Sequence, residues 1–297
     1  MDRKRALIAL LVALCLLSFA AACGGGGDED EDDDEGGAVA EEATGIKYTP
    51  TGNEATLTGA VAFNGTTPEP KPISMTADQV CASSNPNAVA EEVKVTDGKL
   101  QNVFVYVKDG KTADGKGFAT LTFDPPSQPQ VLDQKGCQYV PHVLGIQTRQ
   151  KLTVLNSDPT AHNVNLQGKS NPGFNQSQPP GAGPIEKVFD RAEVLIPVKC
   201  NQHPWMKSYV GVLRHPFYAV TGADGRFEIK GLPPGTYTVV AWHEKFPEQT
   251  QTVTVAAKES KTQDFAFAGA TALNETRGGS LTLMPAIEFP MLGAGGH

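Results

Sequence analysis

The chain has 297 residues, 39% of them hydrophobic, enough to bury a core in one large or two modest domains. Its formal net charge of −8, from 33 acidic and 25 basic residues, excludes the excess of positive charge that nucleic-acid binding demands. Helical periodicity is almost absent, so the expected fold class is all-β.

The first element is 1–22. It has a basic start (Arg3, Lys4, Arg5), an apolar run from Ala6 and the small residues Ala20, Ala21 and Ala22. That pattern predicts a secretory signal, too short and wrongly flanked for a spanning helix. Next come Cys23, the glycines Gly24 to Gly27 and eight consecutive carboxylates from Asp28 to Glu35. Glycine is flexible and like charges repel, so 23–54 reads as a solvated tether, with a steering patch for a basic partner as the alternative. The small residues ending at Cys23 resemble a bacterial lipoprotein cleavage box. The resemblance implies a lipid on Cys23 and a periplasmic or otherwise extracytoplasmic protein anchored to a membrane. The alternative is ordinary secretion with cleavage near Ala22 and a free Cys23.

From Ala55 onward the pattern is strands and turns. Thr56-Leu57-Thr58-Gly59-Ala60-Val61-Ala62-Phe63 alternates and ends at a hairpin-type Asn64-Gly65. Val103 to Val107 is rich in β-formers and stops at Asp109-Gly110, while Leu152 to Leu155 and Val194 to Val198 look like further strands. The Gly- and Pro-rich stretch 168–184 predicts a long surface loop. Later, Phe227-Glu228-Ile229, the turn Leu232-Pro233-Pro234-Gly235 and the alternating Tyr237 to Trp242 form a compact strand-turn rhythm.

That last rhythm resembles the carboxypeptidase regulatory-like family over roughly 217–267, which implies a small transthyretin-like β-sandwich. The family's usual opening strand pair has its nearest match far upstream, in Gly59-Ala60-Val61 and Leu100 to Val107. The expectation is therefore that 55–110 contributes strands to this sandwich, that 216–268 completes it, and that a second domain at 111–215 is inserted between them. Two sandwiches in simple series are the alternative, and 269–297 reads as a tail. No H-E-x-x-H zinc-protease motif is present, so the resemblance implies no peptidase activity, and the chain is not expected to be an enzyme.

The sharpest chemical signal is Cys200-Asn201-Gln202-His203-Pro204-Trp205-Met206. At this composition a C-x-x-H-x-x-M string should arise by chance only about 0.002 times. A blue-copper centre needs a thiolate and two imidazoles near one plane with a weak axial thioether. The short loop supplies three of these donors, and His162, directly after the strand ending at Leu155, is the fourth. The remaining cysteines follow by elimination. Cys15 leaves with the signal and Cys23 is the anchor, so with Cys200 as a ligand, Cys81 and Cys137 are the expected disulfide.

The loop and the His162-Asn163-Val164 string resemble the cupredoxins, amicyanins in particular, over about 135–214. The resemblance implies a Greek-key β-sandwich in which His162, Cys200, His203 and Met206 bind one copper ion, and a single-electron carrier working with a redox donor and acceptor. Around the ligands, Asn163 is placed to tie the two ligand segments together. Pro204 lacks an N–H that could bond the Cys200 sulfur and stiffens the loop. Trp205 shields the metal, forms an exit surface or simply packs in the core. His142, after Cys137, is a turn residue, or else sits near the copper or in a docking surface. His215 and His243 lack metal spacing. Two other classes compete with the electron carrier: a cell-surface module binding carbohydrate or protein, and a copper storage or delivery protein.

Overall fold

The computed structural model describes residues 45–269, which fall in one compact unit. The signal 1–22, Cys23, most of the tether and the tail beyond Gly269 lie outside the described residues. The chain is all-β, and its lone α-helix among the described residues is the six-residue Gln79–Ser84. None of these residues forms a helix long and apolar enough to cross a membrane.

Two sandwiches share the chain. In the first, one sheet runs Tyr218–Val220, Phe104–Thr112, Gly235–His243, Phe246–Val255. Facing it, Ala55–Asn64 pairs with Arg226–Leu232 and Lys99–Leu100, and in parallel with Ser260–Thr262 and Phe265–Ala268. Alternation along Ala55–Asn64 sends Ala55, Leu57, Val61 and Phe63 inward, where they meet Val105, Val107, Ile229, Tyr237, Val239 and Phe267. The strands of this sandwich thus come from both sides of a second one in the sequence.

The second sandwich stacks the sheet Ile185–Val188, Lys151–Asn156, Gln130–Gln134, Tyr139–Val140 on the sheet Phe174–Gln178, His162–Leu166, Glu193–Lys199, Lys207–Leu213, Val143–Gln147. Leu132, Ile146, Leu152, Val154, Val164, Leu166, Ile196, Val198, Val210 and Val212 fill its core.

Two features differ from the sequence reading. The stretch 168–184 is no continuous loop, because Phe174–Gln178 forms an edge strand antiparallel to His162–Leu166, with His162 opposite Gln178. Its Phe-Asn-Gln-Ser-Gln sequence carries no run of β-formers, so backbone pairing alone reveals it. Further, 55–110 does not serve the first sandwich alone: Met75, Cys81 and Ala88 pack into the second core, drawn there by the Cys81–Cys137 disulfide.

The sandwiches meet through Phe104, Tyr106, Val143, Leu195, Leu213 and Val240. Two glycines make the approach possible. Gly145 and Gly211 lie opposite each other on paired strands, and a Cβ on either would strike the Tyr218 or Phe104 ring.

Candidate metal centre

The ligand loop 200–206 joins Glu193–Lys199 to Lys207–Leu213, and two backbone bonds close it: Cys200 N–H to Met206 O at 3.2 Å and Met206 N–H to His203 O at 2.9 Å. His162 opens the neighbouring antiparallel strand, whose Asn165 pairs with Lys199, so register carries it to the loop. The Tyr139 hydroxyl donates to the carbonyls of both Asn163 (2.6 Å) and Lys199 (3.2 Å), clamping the two strands just below. Asn163 Oδ1 accepts from Asn201 N–H at 3.0 Å, a direct tie between the two ligand segments.

Three donors converge. His162 Nδ1 lies 2.9 Å from His203 Nδ1, and Cys200 Sγ lies 3.7 Å from His203 Nδ1. One ligand atom from each of the three residues falls within 4.8 Å of the others. Two donors each roughly 2 Å from a shared ion stand roughly 3–4 Å apart, so these separations fit one ion. Cys200 is a free thiol, and His162, Cys200, His203 and Met206 are all buried, with Met206 and Cys200 in one core cluster.

The outer nitrogens are engaged too, by two carboxylates to which the sequence reading assigned no role. His162 Nε2 bonds Asp158 Oδ2 at 2.9 Å, and Asp158 is fixed by the N–H groups of Gly136 (2.7 Å) and Cys137 (2.8 Å). His203 Nε2 bonds Asp78 Oδ2 at 3.2 Å. Both Nε2 atoms thus face carboxylates, and the two Nδ1 atoms face each other. Asp158, four residues before His162, was discernible as a helper of the ligand; Asp78, 125 residues from His203, carried no local signal.

The electrostatics follow from these contacts. Burial opposes charge on His162, but its bonds to Asp158 and Cys200 prevail and hold it up at about 9. Burial raises the Cys200 thiol, yet His162 and the backbone N–H groups of Asn163, Gln202 and His203 bring it below its ordinary value. Burial holds His203 down despite Asp78. For Asp158, burial is outweighed by the bonds from His162, Cys137 and Gly136, so its carboxyl is lowered.

The other sequence candidates fall around this centre. Half-buried Trp205 donates Nε1–H to Cys137 O at 3.0 Å, with its ring 5.0 Å from that of His203. Pro204 is exposed, and as a proline it has no N–H to offer the Cys200 sulfur. His142 stands apart from the three converging donors. Its Nε2 bonds Glu244 Oε1 at 2.5 Å, and it lines a groove of about 240 Å³ with Ile73, Tyr139, Trp205 and Met206. His215 and His243 are buried singly among aromatic rings in the first sandwich.

Residues 210–268 match the family model of the carboxypeptidase regulatory-like domain. No curated protein matches the chain. Among solved structures, a Cu-containing nitrite reductase from Thermus scotoductus SA-01 is 19% identical at a TM-score of 0.27, over 31% of this chain and 26% of that one. The chain therefore spans about a quarter of that reductase. A methionine-to-alanine variant of amicyanin in its Cu(I) state is 20% identical at 0.25, over 28% and 81%. A purple cupredoxin from Nitrosopumilus maritimus is 28% identical at 0.22, over 25% and 81%. These likenesses are weak, and the donor geometry stands independently of them.

Proposed function

We propose that His162, Cys200, His203 and Met206 hold one copper ion, and that the protein passes single electrons between a redox donor and an acceptor without substrate chemistry. One observation carries this reading. Two imidazoles whose outer nitrogens serve carboxylates turn their Nδ1 atoms toward each other at 2.9 Å in a buried pocket, beside a free thiol. A proton on His162 serves this contact in the metal-free protein, and a metal cation would take that proton's place between the two nitrogens. Two imidazoles and a thiolate exclude the hard cations, and a thioether from Met206 as fourth donor would favour copper over zinc.

A bound copper supplies a one-electron couple whose two states are both tolerated by such a mixed donor set. The chain's own residues supply rigidity. Asp158 holds the His162 ring, Asn163 ties the two ligand segments, and Tyr139 clamps their strands. The buried pocket would keep water off the donors, and the Met206 thioether would serve as the weak fourth donor. In the same proposal, Cys23 carries a lipid that tethers the protein outside a bacterial membrane, with the acidic stretch as spacer.

The test is the visible spectrum of the copper-loaded protein. An intense charge-transfer band that bleaches on reduction and is lost in Cys200→Ser supports the reading. Stoichiometric copper without such a band points to storage or delivery. No copper uptake leaves a ligand-binding module.

A further inference from the structure

We propose that Asp78 is a positioning residue for the metal ligand His203, reaching it from a covering segment that the disulfide staples to the second sandwich. The ligand side of the argument rests on the copper reading above; the contact itself does not.

Every acceptor site of Asp78 is committed. Its Oδ1 takes the N–H groups of Val80 (2.8 Å) and Cys81 (3.1 Å), capping the helix Gln79–Ser84. Its Oδ2 takes the Thr160 hydroxyl (2.9 Å) and His203 Nε2 (3.2 Å). Thr160 lies two residues before His162, so one carboxylate oxygen joins the approaches to both imidazoles. A six-residue helix cannot hold itself in water, so its position must come from outside. Cys81, three residues after Asp78, is bonded to Cys137, and the Cys137 N–H in turn supports Asp158. Asn85 Nδ2 adds a bond to Gly136 O at 3.1 Å. The two carboxylates behind the two imidazoles are therefore linked through a single covalent bridge. Cys81 Sγ itself rests 3.8 Å from His203 Nε2, closing that ring edge to solvent.

An acidic partner on Nε2–H makes the imidazole a stronger donor at Nδ1 and favours the higher oxidation state of a bound metal. Asp78→Asn keeps a helix-capping residue while removing the charge; Asp78→Ala removes both. With cupric ion as the probe, Asp78→Asn should raise the reduction potential and speed metal loss to a chelator about ten-fold or more. In the metal-free protein, nitrogen NMR should find the His203 ring as the Nε2–H tautomer, and Asp78→Ala should leave it a mixture. If wild type takes up copper and Asp78→Asn leaves potential and release unchanged, the proposal falls while the copper reading stands. If wild type takes up no copper, the NMR decides: Nε2–H lost in Asp78→Ala upholds the contact, and an Nδ1–H ring in wild type overturns it.

Discussion

Cys200 and Met206 divide the labour of the loop unequally. In the proposed copper site the thiolate would be the strong donor and the thioether the weak one, so they should fail differently on substitution. Met206→Gln should retain copper and lower the reduction potential, measured by redox titration of the visible band; loss of copper would make Met206 a principal ligand instead. His215 and His243 report on the fold rather than on the site. Burial holds both down to about 4. Because the unfolded value is about 6.5, the unfolded chain binds the extra protons as pH falls, and stability is lost between about 6.5 and 4. Each histidine should cost about 2 kcal/mol on going from pH 7 to pH 5. His162 is raised instead, so its stabilising contribution grows as pH falls toward about 6.5 and levels off below it, offsetting part of that drop between pH 7 and pH 5. Urea midpoints of the metal-free protein at pH 7 and pH 5 should show the drop, and His215→Phe should shrink it. An equal drop in that variant would refute the assignment.

Among the elements, the disulfide has the clearest energetic role. It joins Cys81 to Cys137, 56 residues apart, and anchors a segment whose only regular structure is a six-residue helix. Loop-closure entropy alone assigns such a bridge about 4 kcal/mol. Replacing both cysteines with serine should lower the denaturation free energy by an amount of that order, and an unchanged midpoint would show the segment held by other contacts. This element also marks the boundary of what the amino-acid order discloses. The C-x-x-H-x-x-M loop is legible because its three donors are separated by single turns of chain and need no partner to be recognised. The strand ending before His162 is legible from its run of Leu152 to Leu155. Asp78 is not, because its function exists only once a bond 56 residues long and a contact 125 residues long are made. The edge strand Phe174–Gln178 was hidden for another reason. Its residues are polar on nearly every side, so no alternation distinguishes it from the Gly- and Pro-rich loop around it.

At the scale of the whole molecule, the junction decides whether the two sandwiches behave as one body. Phe104 and Tyr218 press onto Gly211 and Gly145, Glu244 bonds both His142 and Tyr209, and Glu92 pairs with Lys207 and Lys245. The chain has two tryptophans, Trp205 beside the metal loop and Trp242 on the first sandwich at the junction. Fluorescence of the Trp205→Phe and Trp242→Phe variants should therefore give coincident unfolding transitions. Gly211→Ala drives a methyl into the Phe104 ring and should cost about 1–3 kcal/mol, a magnitude typical of overpacking. Transitions that already separate in the unaltered junction would mean the sandwiches unfold independently. Two imidazole nitrogens and a thiol turn to a common point, and the proposed copper site depends on that geometry. Its most direct test is paramagnetic resonance with visible absorption on the copper-loaded protein. The predicted result is one Cu(II) signal per chain with an intense thiolate charge-transfer band, both abolished by one electron equivalent. A Cu(II) signal with no such band, or no bound copper at all, would contradict it.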